Sequence, residues 1–425
     1  MRIGIGPLAV RSIFFLLLVV GGVAPVPAAA APVAATRIDQ RVSAIPASVL
    51  LHETASRLVD PARQRAAREL TNINRPLFFA WALLQIFAFL YLWRSGTAAR
   101  WRDWLRRLLR NEHVLRIVFG FLLAVFVQLC ALPVSFTRFR LDYAAGLTTQ
   151  TIGSWMGDWW LTVALDGALA AIFVVVVLWL VDLTRLWYMI AIVLVYIATL
   201  VLMFVEPIVL APLFNSYTPL TGGPLAMRIH ALTAKAGVGN TPIYTTNLSK
   251  QSAVGNAWVA GFGATRRIVL SDTLVAVDTP DESAFIVAHE LGHYVHLDVV
   301  KLTLVGTTLF IAAMAVAVLI GDRIGFRRDD DPVSRLPLVG CILFCAALVL
   351  YPVYNAYSRG IEARADRYAL ALTGDPAGGI RAFVRFADDG LVPICPPKIV
   401  RLYFYDHPPL GSRIAALQGR PDPCP

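Results

Sequence analysis

Six continuous apolar stretches decide what this chain can fold into. They run approximately over Pro76–Trp93, Leu115–Val134, Trp160–Val181, Trp187–Val205, Leu302–Ile320 and Leu336–Val353. Each is long enough to cross ~30 Å of hydrocarbon as a helix. Their apolar residues are continuous and not alternating, which excludes a closed barrel of strands. The whole chain is 57% hydrophobic and only 16% charged, with a mean hydropathy of +0.63. Soluble domains are nearer half apolar and about a quarter charged. The expected fold class is therefore a mostly α, polytopic membrane protein.

The formal net charge of +10 does not point to nucleic acid. No nucleic-acid motif is present, and the Arg clusters sit beside apolar spans, where they act as topology signals and headgroup contacts. Met1–Ala35 reads as an export signal: Arg2 and Arg11 precede the apolar stretch Ile13–Val23, and small residues follow from Ala24 to Ala31. The other reading of this segment is an uncleaved first membrane helix. Thr36–Arg75 is a polar extramembrane segment with seven Arg, helical around Ala47–Val59 and Pro61–Leu70. Four spans then occupy residues 76–214. A polar region follows over 215–300, two spans occupy 301–354, and a C-terminal helix with a tail fills 355–425.

Within the polar region, Pro224–Ala236 reads as an amphipathic helix, and Thr241–Thr246 and Arg267–Leu270 read as short strands. Asp281–Val300 reads as a helix whose start is favoured by Pro280, Asp281 and Glu282. That helix carries His289-Glu290-Leu291-Gly292-His293. Imidazoles at i and i+4 lie on one helix face and can hold one Zn²⁺. The Glu between them lies where it can take a proton from water beside the metal. A catalytic zinc site of this type needs a third protein ligand and one open position. Glu362 is the only Glu downstream of Glu290, on the helix that follows the last span. Asp366, at i+4 from it, can accept the second N–H of a metal-binding His. His296 sits on a neighbouring face and reads as a polar cap to the site. His407 precedes Pro408 and Pro409, which stiffen its turn; a rigid donor there suits a developing oxyanion.

Cys130, Cys341 and Cys345 lie in apolar runs and read as buried hydrophobes. No Cys-x-x-Cys pair supports a thiolate zinc site. Cys395 and Cys424 share one polar segment and can pair in an oxidising compartment.

These motifs together resemble the type I CAAX prenyl protease family of membrane zinc metallopeptidases. The resemblance rests on Glu206-Pro207 with Phe214-Asn215 and Pro219-Leu220, and on Asn256-Ala257-Trp258 followed by Arg267 to Asp272. It also rests on Asn355, Ser358, Arg359, Glu362 and Asp366, and on His407-Pro408 with Arg413-Ile414. It implies six to seven membrane helices around a water-filled chamber, with a small α+β, gluzincin-like catalytic region. It implies one Zn²⁺ bound by His289, His293 and Glu362, and Glu290 as the base. It further implies substrate binding at Asn256 and Ala257 on an edge strand, with His407 and Arg413 near the oxyanion. The expected activity is that of a metalloendopeptidase acting on peptides or membrane-associated proteins.

Two other classes fit less well. An intramembrane metalloprotease would carry its His-Glu motif within a span, yet this helix holds Asp281, Glu282, His296 and Asp298. A transporter needs charges along a membrane path, and these spans carry almost none. Orientation follows from Arg: Arg94–Asn111 carries six, Gly321–Arg335 four more, and Arg185 lies in a third connection. Counting spans puts all three on one side, expected to be cytoplasmic, with Asn215–Lys301 and the C-terminal region extracytoplasmic. The resemblance points the other way, because eukaryotic members open their catalytic side to the cytosol.

Overall fold

In a computed structural model of the protein, residues 41–239, 241–261, 263–323 and 331–424 are described. The expected export signal or first membrane helix, Met1–Ala35, lies outside them, as do Arg327 and Arg328. The chain enters the membrane on α1 (Pro61–Arg94), and the short α2 (Thr97–Leu108) leads to α3 (Glu112–Ala144). Next come α4 (Ile152–Leu183) and α5 (Trp187–Val205), which one π turn and a last α turn prolong to Phe214. The polar region holds α6 (Pro224–Lys235) and α7 (Pro280–Val295). The fifth and sixth spans are α8 (Asp298–Arg323) and α9 (Pro332–Thr373); α10 (Pro376–Asp389), α11 (Lys398–Phe404) and α12 (Leu410–Leu417) complete the order. Among the described residues, six helices are long and apolar enough to cross a membrane, one at each apolar stretch.

Four of the spans start on a side chain that receives orphan N–H groups of the first turn. Asp60 accepts from Ala62 and Arg63, Asn111 from His113 and Val114, Thr151 from Ser154, and Asp331 from Val333. The boundaries differ from the sequence reading in three places. The break expected at Arg75 is absent, because α1 continues through Pro76. The last span and the helix expected from Tyr354 are one 42-residue helix that runs through Pro337 and Pro352. Packed neighbours tolerate such prolines in long membrane helices. Conversely, the helix expected over Asp281–Val300 is two. It stops at Val295, turns through Leu297 at a left-handed φ of 55°, and restarts at Asp298 as a membrane helix.

The sheet has the order β1-β2-β4-β3, with β1 Tyr217–Pro219, β2 Ile243–Thr246, β3 Ala257–Ala260 and β4 Arg267–Ser271. Strands β2 and β4 are parallel and the outer pairings antiparallel, so β3 is an edge strand. It packs against α7.

Residues 41–60, polar and without assigned chemistry in the sequence, fasten the catalytic region. Val42, Leu50, Ala55, Leu58 and Val59 belong to the same core as Ile286, Ile380 and Ile414. Asp388 is fully buried, pairs with Arg41, and accepts the Asp60 N–H at 3.0 Å. The turn at 147–149 is tied to the segment before β3, Ala253 N–H donating to Leu147 O at 3.1 Å and Thr148 Oγ1 to Gln251 O at 2.6 Å. Residues 41–60, the turn after α3, the sheet and the C-terminal helices therefore share one end of the bundle. At the other end Arg102 of α2 pairs with Asp331 at the start of α9, and Arg116 pairs with Asp182 at 2.6 Å.

Glu282 holds two elements at once. It closes a capping box with Thr279 at the start of α7 and binds the buried Arg385 of α10 at 2.9 Å. Replacing it with Ala removes a cap and leaves the guanidinium short of charge. Glu282→Ala should cost about 3 kcal/mol, read as a lowered midpoint of unfolding in detergent. Thr279→Ala should cost only about 1 kcal/mol.

Candidate metal centre

Residues 279–293 are helical for local reasons. Thr279 and Glu282 satisfy each other's backbone N–H, Pro280 fits the first helical position, and Asp281 and Glu282 favour the positive end of the helix. From Glu282 to His293 every residue of α7 is buried, against α9, α10 and β3 among others. His289, Glu290 and His293 are each no more than 2% exposed. Glu362 and Asp366 enter from α9, which carries them out of the membrane and against α7.

Three potential ligand side chains converge. His289 Nε2 stands 3.0 Å from His293 Nε2 and 3.1 Å from Glu362 Oε2, and His293 Nε2 stands 3.4 Å from Glu362 Oε1. Ligand atoms at tetrahedral angles about a zinc stand roughly 3.3–3.4 Å apart, given bond lengths of about 2.0–2.1 Å. The hydrogen-bond network supports the tautomers that such a site needs. His289 Nδ1 lies 2.8 Å from Asp366 Oδ1, and His293 Nδ1 lies 3.3 Å from Asp298 Oδ2. A carboxylate can only accept, so each Nδ1 carries a proton, and in the neutral ring each Nε2 then presents a lone pair. Two lone pairs facing each other repel unless a cation lies between them. The donor set therefore fits a divalent metal. Glu290 lies beside the two imidazoles, one ligand atom from each of the three within 4.8 Å of the others, and its Oε1 is buried with no hydrogen-bond partner. Burial pushes its carboxyl pKa up, against the opposing pull of His293 and His289.

Asp366 is itself held by Arg413 of α12, whose Nε donates to Oδ2 at 2.7 Å and whose terminal nitrogen reaches Oδ1. The guanidinium also lies over the Phe383 ring, 4.1 Å from its centroid. His407 is buried, with Nδ1 on Asp406 at 2.7 Å and Nε2 3.1 Å from Glu362 Oε2. The second approach is too poorly aligned to be a hydrogen bond, which leaves the Nε2 N–H available. Burial disfavours the imidazolium, but Glu362 and Asp406 together outweigh it and push the His407 pKa up to about 10. Asn256 stands at the start of β3, its N–H donating to Ser271 Oγ at 2.8 Å and its buried Oδ1 without a partner. Ala257 follows, fully buried. His296 is turned away: its ring nitrogen meets Gly292 O at 2.7 Å and its ring meets Tyr368 edge-on. It caps the end of α7 and not the metal site that the sequence reading assigned to it.

Comparison with known proteins agrees with this geometry. Residues 53–216 match the family described as CAAX prenyl protease N-terminal, five membrane helices, and residues 219–421 match Peptidase family M48. The chain belongs to the type I CAAX prenyl protease family. Among its relatives is a Bacillus subtilis protein described as an uncharacterized metalloprotease, 27% identical over 88% of this chain and 89% of the relative. CAAX prenyl protease 1 of Saccharomyces cerevisiae is 28% identical over 70% of each chain. The crystal structure of S. mikatae Ste24p shares the fold, with a TM-score of 0.72 and 21% identity over 98% of this chain and all of that one. As a family member the protein is a membrane metalloprotease, a hydrolase of peptide bonds.

Two residues around the site escaped the sequence reading. Asp298 is fully buried and receives His293, Arg364 and, at 3.9 Å, Lys301. It lies five residues past His293 and reaches the imidazole because the helix breaks at Leu297. Asp406 holds His407. A carboxylate next to a His is a weak sign in sequence, and only the fold shows its orientation. Asp298→Ala should weaken metal affinity about 10–100-fold, as removal of an outer carboxylate does elsewhere. Chelator competition measures this; an unchanged affinity would remove Asp298 from the site.

Proposed function

We propose that the protein is a zinc-dependent endopeptidase of the cell membrane, with His289, His293 and Glu362 as ligands to one Zn²⁺ per chain. The observation that carries this reading is the meeting of three ligand side chains whose imidazoles each give the far N–H to a carboxylate. A bound zinc supplies Lewis acidity, making nearby water acidic near neutral pH and polarising a peptide carbonyl. Glu290 takes the proton from the attacking water, and its raised pKa suits a base that must later release the proton to the leaving amine. His407 presents the Nε2 N–H to the developing oxyanion from a turn stiffened by Pro408 and Pro409. Arg413 acts one step back: its donors are engaged by Asp366, so it positions that carboxylate and through it His289. The substrate chain pairs with the outer edge of β3, where Asn256 and Ala257 set its register. Substrates are peptides or proteins held at the membrane surface, since α8 and α9 bring the site directly to the end of the bundle.

Glu290→Ala should keep the metal and abolish peptidase activity, and Glu362→Ala should lose the metal. Full zinc content in Glu362→Ala would refute the ligand set. His407→Ala should retain zinc and lower kcat by about 10²–10³. Membrane proteomes of cells with the active protein and with Glu290→Ala would reveal substrates as uncut precursors.

The catalytic end faces the extracytoplasmic side in this proposal. Arg100, Arg102, Arg106, Arg107 and Arg110 after α1 and Arg185 after α4 lie at the opposite end, and Arg in short connections favours the cytoplasm. A disulfide joins Cys395 and Cys424, which favours an oxidising space. After treatment of intact cells with an impermeant reductant, an impermeant thiol reagent should label both cysteines. Labelling only after permeabilisation would reverse the orientation.

A further inference from the structure

The Cys395–Cys424 disulfide closes the chain into a loop that contains α11, His407, Pro408, Pro409 and α12 with Arg413. Its sulfurs press on one backbone position. A Cβ on Gly411 would stand 2.8 Å from Cys395 Sγ and 3.0 Å from Cys424 Sγ. Gly411 N–H also donates to Ile394 O at 2.9 Å, and Ser412 Oγ donates to Asp422 Oδ1 at 2.7 Å. Gly411 is the second residue of α12, four residues after His407 and two before Arg413. The far end of α12 is held independently, by Gln418 donating to Leu50 O and Glu53 O at 2.7 Å each. Opening the disulfide therefore removes the covalent tie at the end of the helix next to His407, leaving hydrogen bonds alone to hold it, while the other end keeps all its anchors.

We propose that the disulfide is a positioning element for His407, so that the protein reaches full turnover only once oxidised. The inference rests on the His407 role argued above. In forming the bond, the two thiols give two electrons and two protons to a donor disulfide, which leaves as a dithiol. An exported chain thus gains its activity in the oxidising compartment, and a reduced precursor stays nearly silent.

The test uses the full chain, zinc-loaded, with a fluorogenic peptide. Reduction and alkylation should lower kcat roughly 10–100-fold, the scale of a misplaced catalytic group. KM should stay within about twofold and zinc should be retained, since substrate pairing and the ligands are untouched. Reoxidation of reduced, unalkylated protein should restore kcat. Gly411→Ala, with the disulfide intact, should give a similar loss by wedging the two sulfurs away. In His407→Ala, reduction should cost little more, because the two changes act through one group. The inference fails if the reduced wild type keeps its kcat, if zinc or thermal stability falls in step with activity, or if mapping finds free thiols in the purified protein. It fails too if reduction costs His407→Ala as much as it costs the wild type. If His407→Ala in the oxidised protein turns over normally, the His407 reading itself is wrong. If only His407→Ala is impaired and reduction has no effect, the positioning role of the disulfide alone is wrong.

Discussion

A backbone in hydrocarbon has no water to bond, so each N–H and C=O must find its partner within the chain. That requirement makes the spans helical, and helices are stiff. Once started, they need not stop at the membrane surface. Helix α9 has 42 residues, about 63 Å at 1.5 Å per residue, twice what a bilayer needs. Its first half lies among the spans. Its second half carries Glu362 and Asp366 to α7, and α8 begins on Asp298, which touches His293. The candidate site is thus mounted on the ends of membrane rods, and a buried cluster of charges can keep its geometry there.

That cluster is stable only as a whole. His289, His293, Glu362, Asp366 and Arg413 are nearly free of solvent. A buried charge alone is costly, and each here meets an opposite charge or a hydrogen-bond partner. The chain of contacts runs from Arg413 to Asp366 to His289, and from Arg364 to Asp298 to His293. The outer groups decide which imidazole nitrogen keeps its proton, and so which one is left to offer a lone pair to a metal.

The segment before the first span shows the same economy. Its apolar residues fill the core under α7 and α10, and Arg41, Asp60 and Arg63 meet Asp388 or its neighbour. This contact also relates the ends of the bundle to one another. With residues 41–60 on the catalytic end, six crossings return the C-terminal helices to that end, as their packing requires.

Some of this was determined by sequence alone. Six apolar runs meant six helices, because run length against bilayer thickness depends on no distant partner. The pairing of His289 with His293 was legible because helical spacing is local, and Glu362 because no other Glu follows Glu290. Strands β2 and β4 were legible from their β-branched residues. Other features belong to the tertiary structure. The fusion of two expected helices into α9 depends on neighbours that tolerate Pro337 and Pro352. The break at Leu297 depends on the turn that brings Asp298 back to His293. The difference between His407, aimed at the cluster, and Arg413, held behind it, depends on which elements pack together. Spacing along the chain reports only what lies within a turn or two. Orientation at a site built from segments more than seventy residues apart is decided by packing, and packing exists only once the chain has folded.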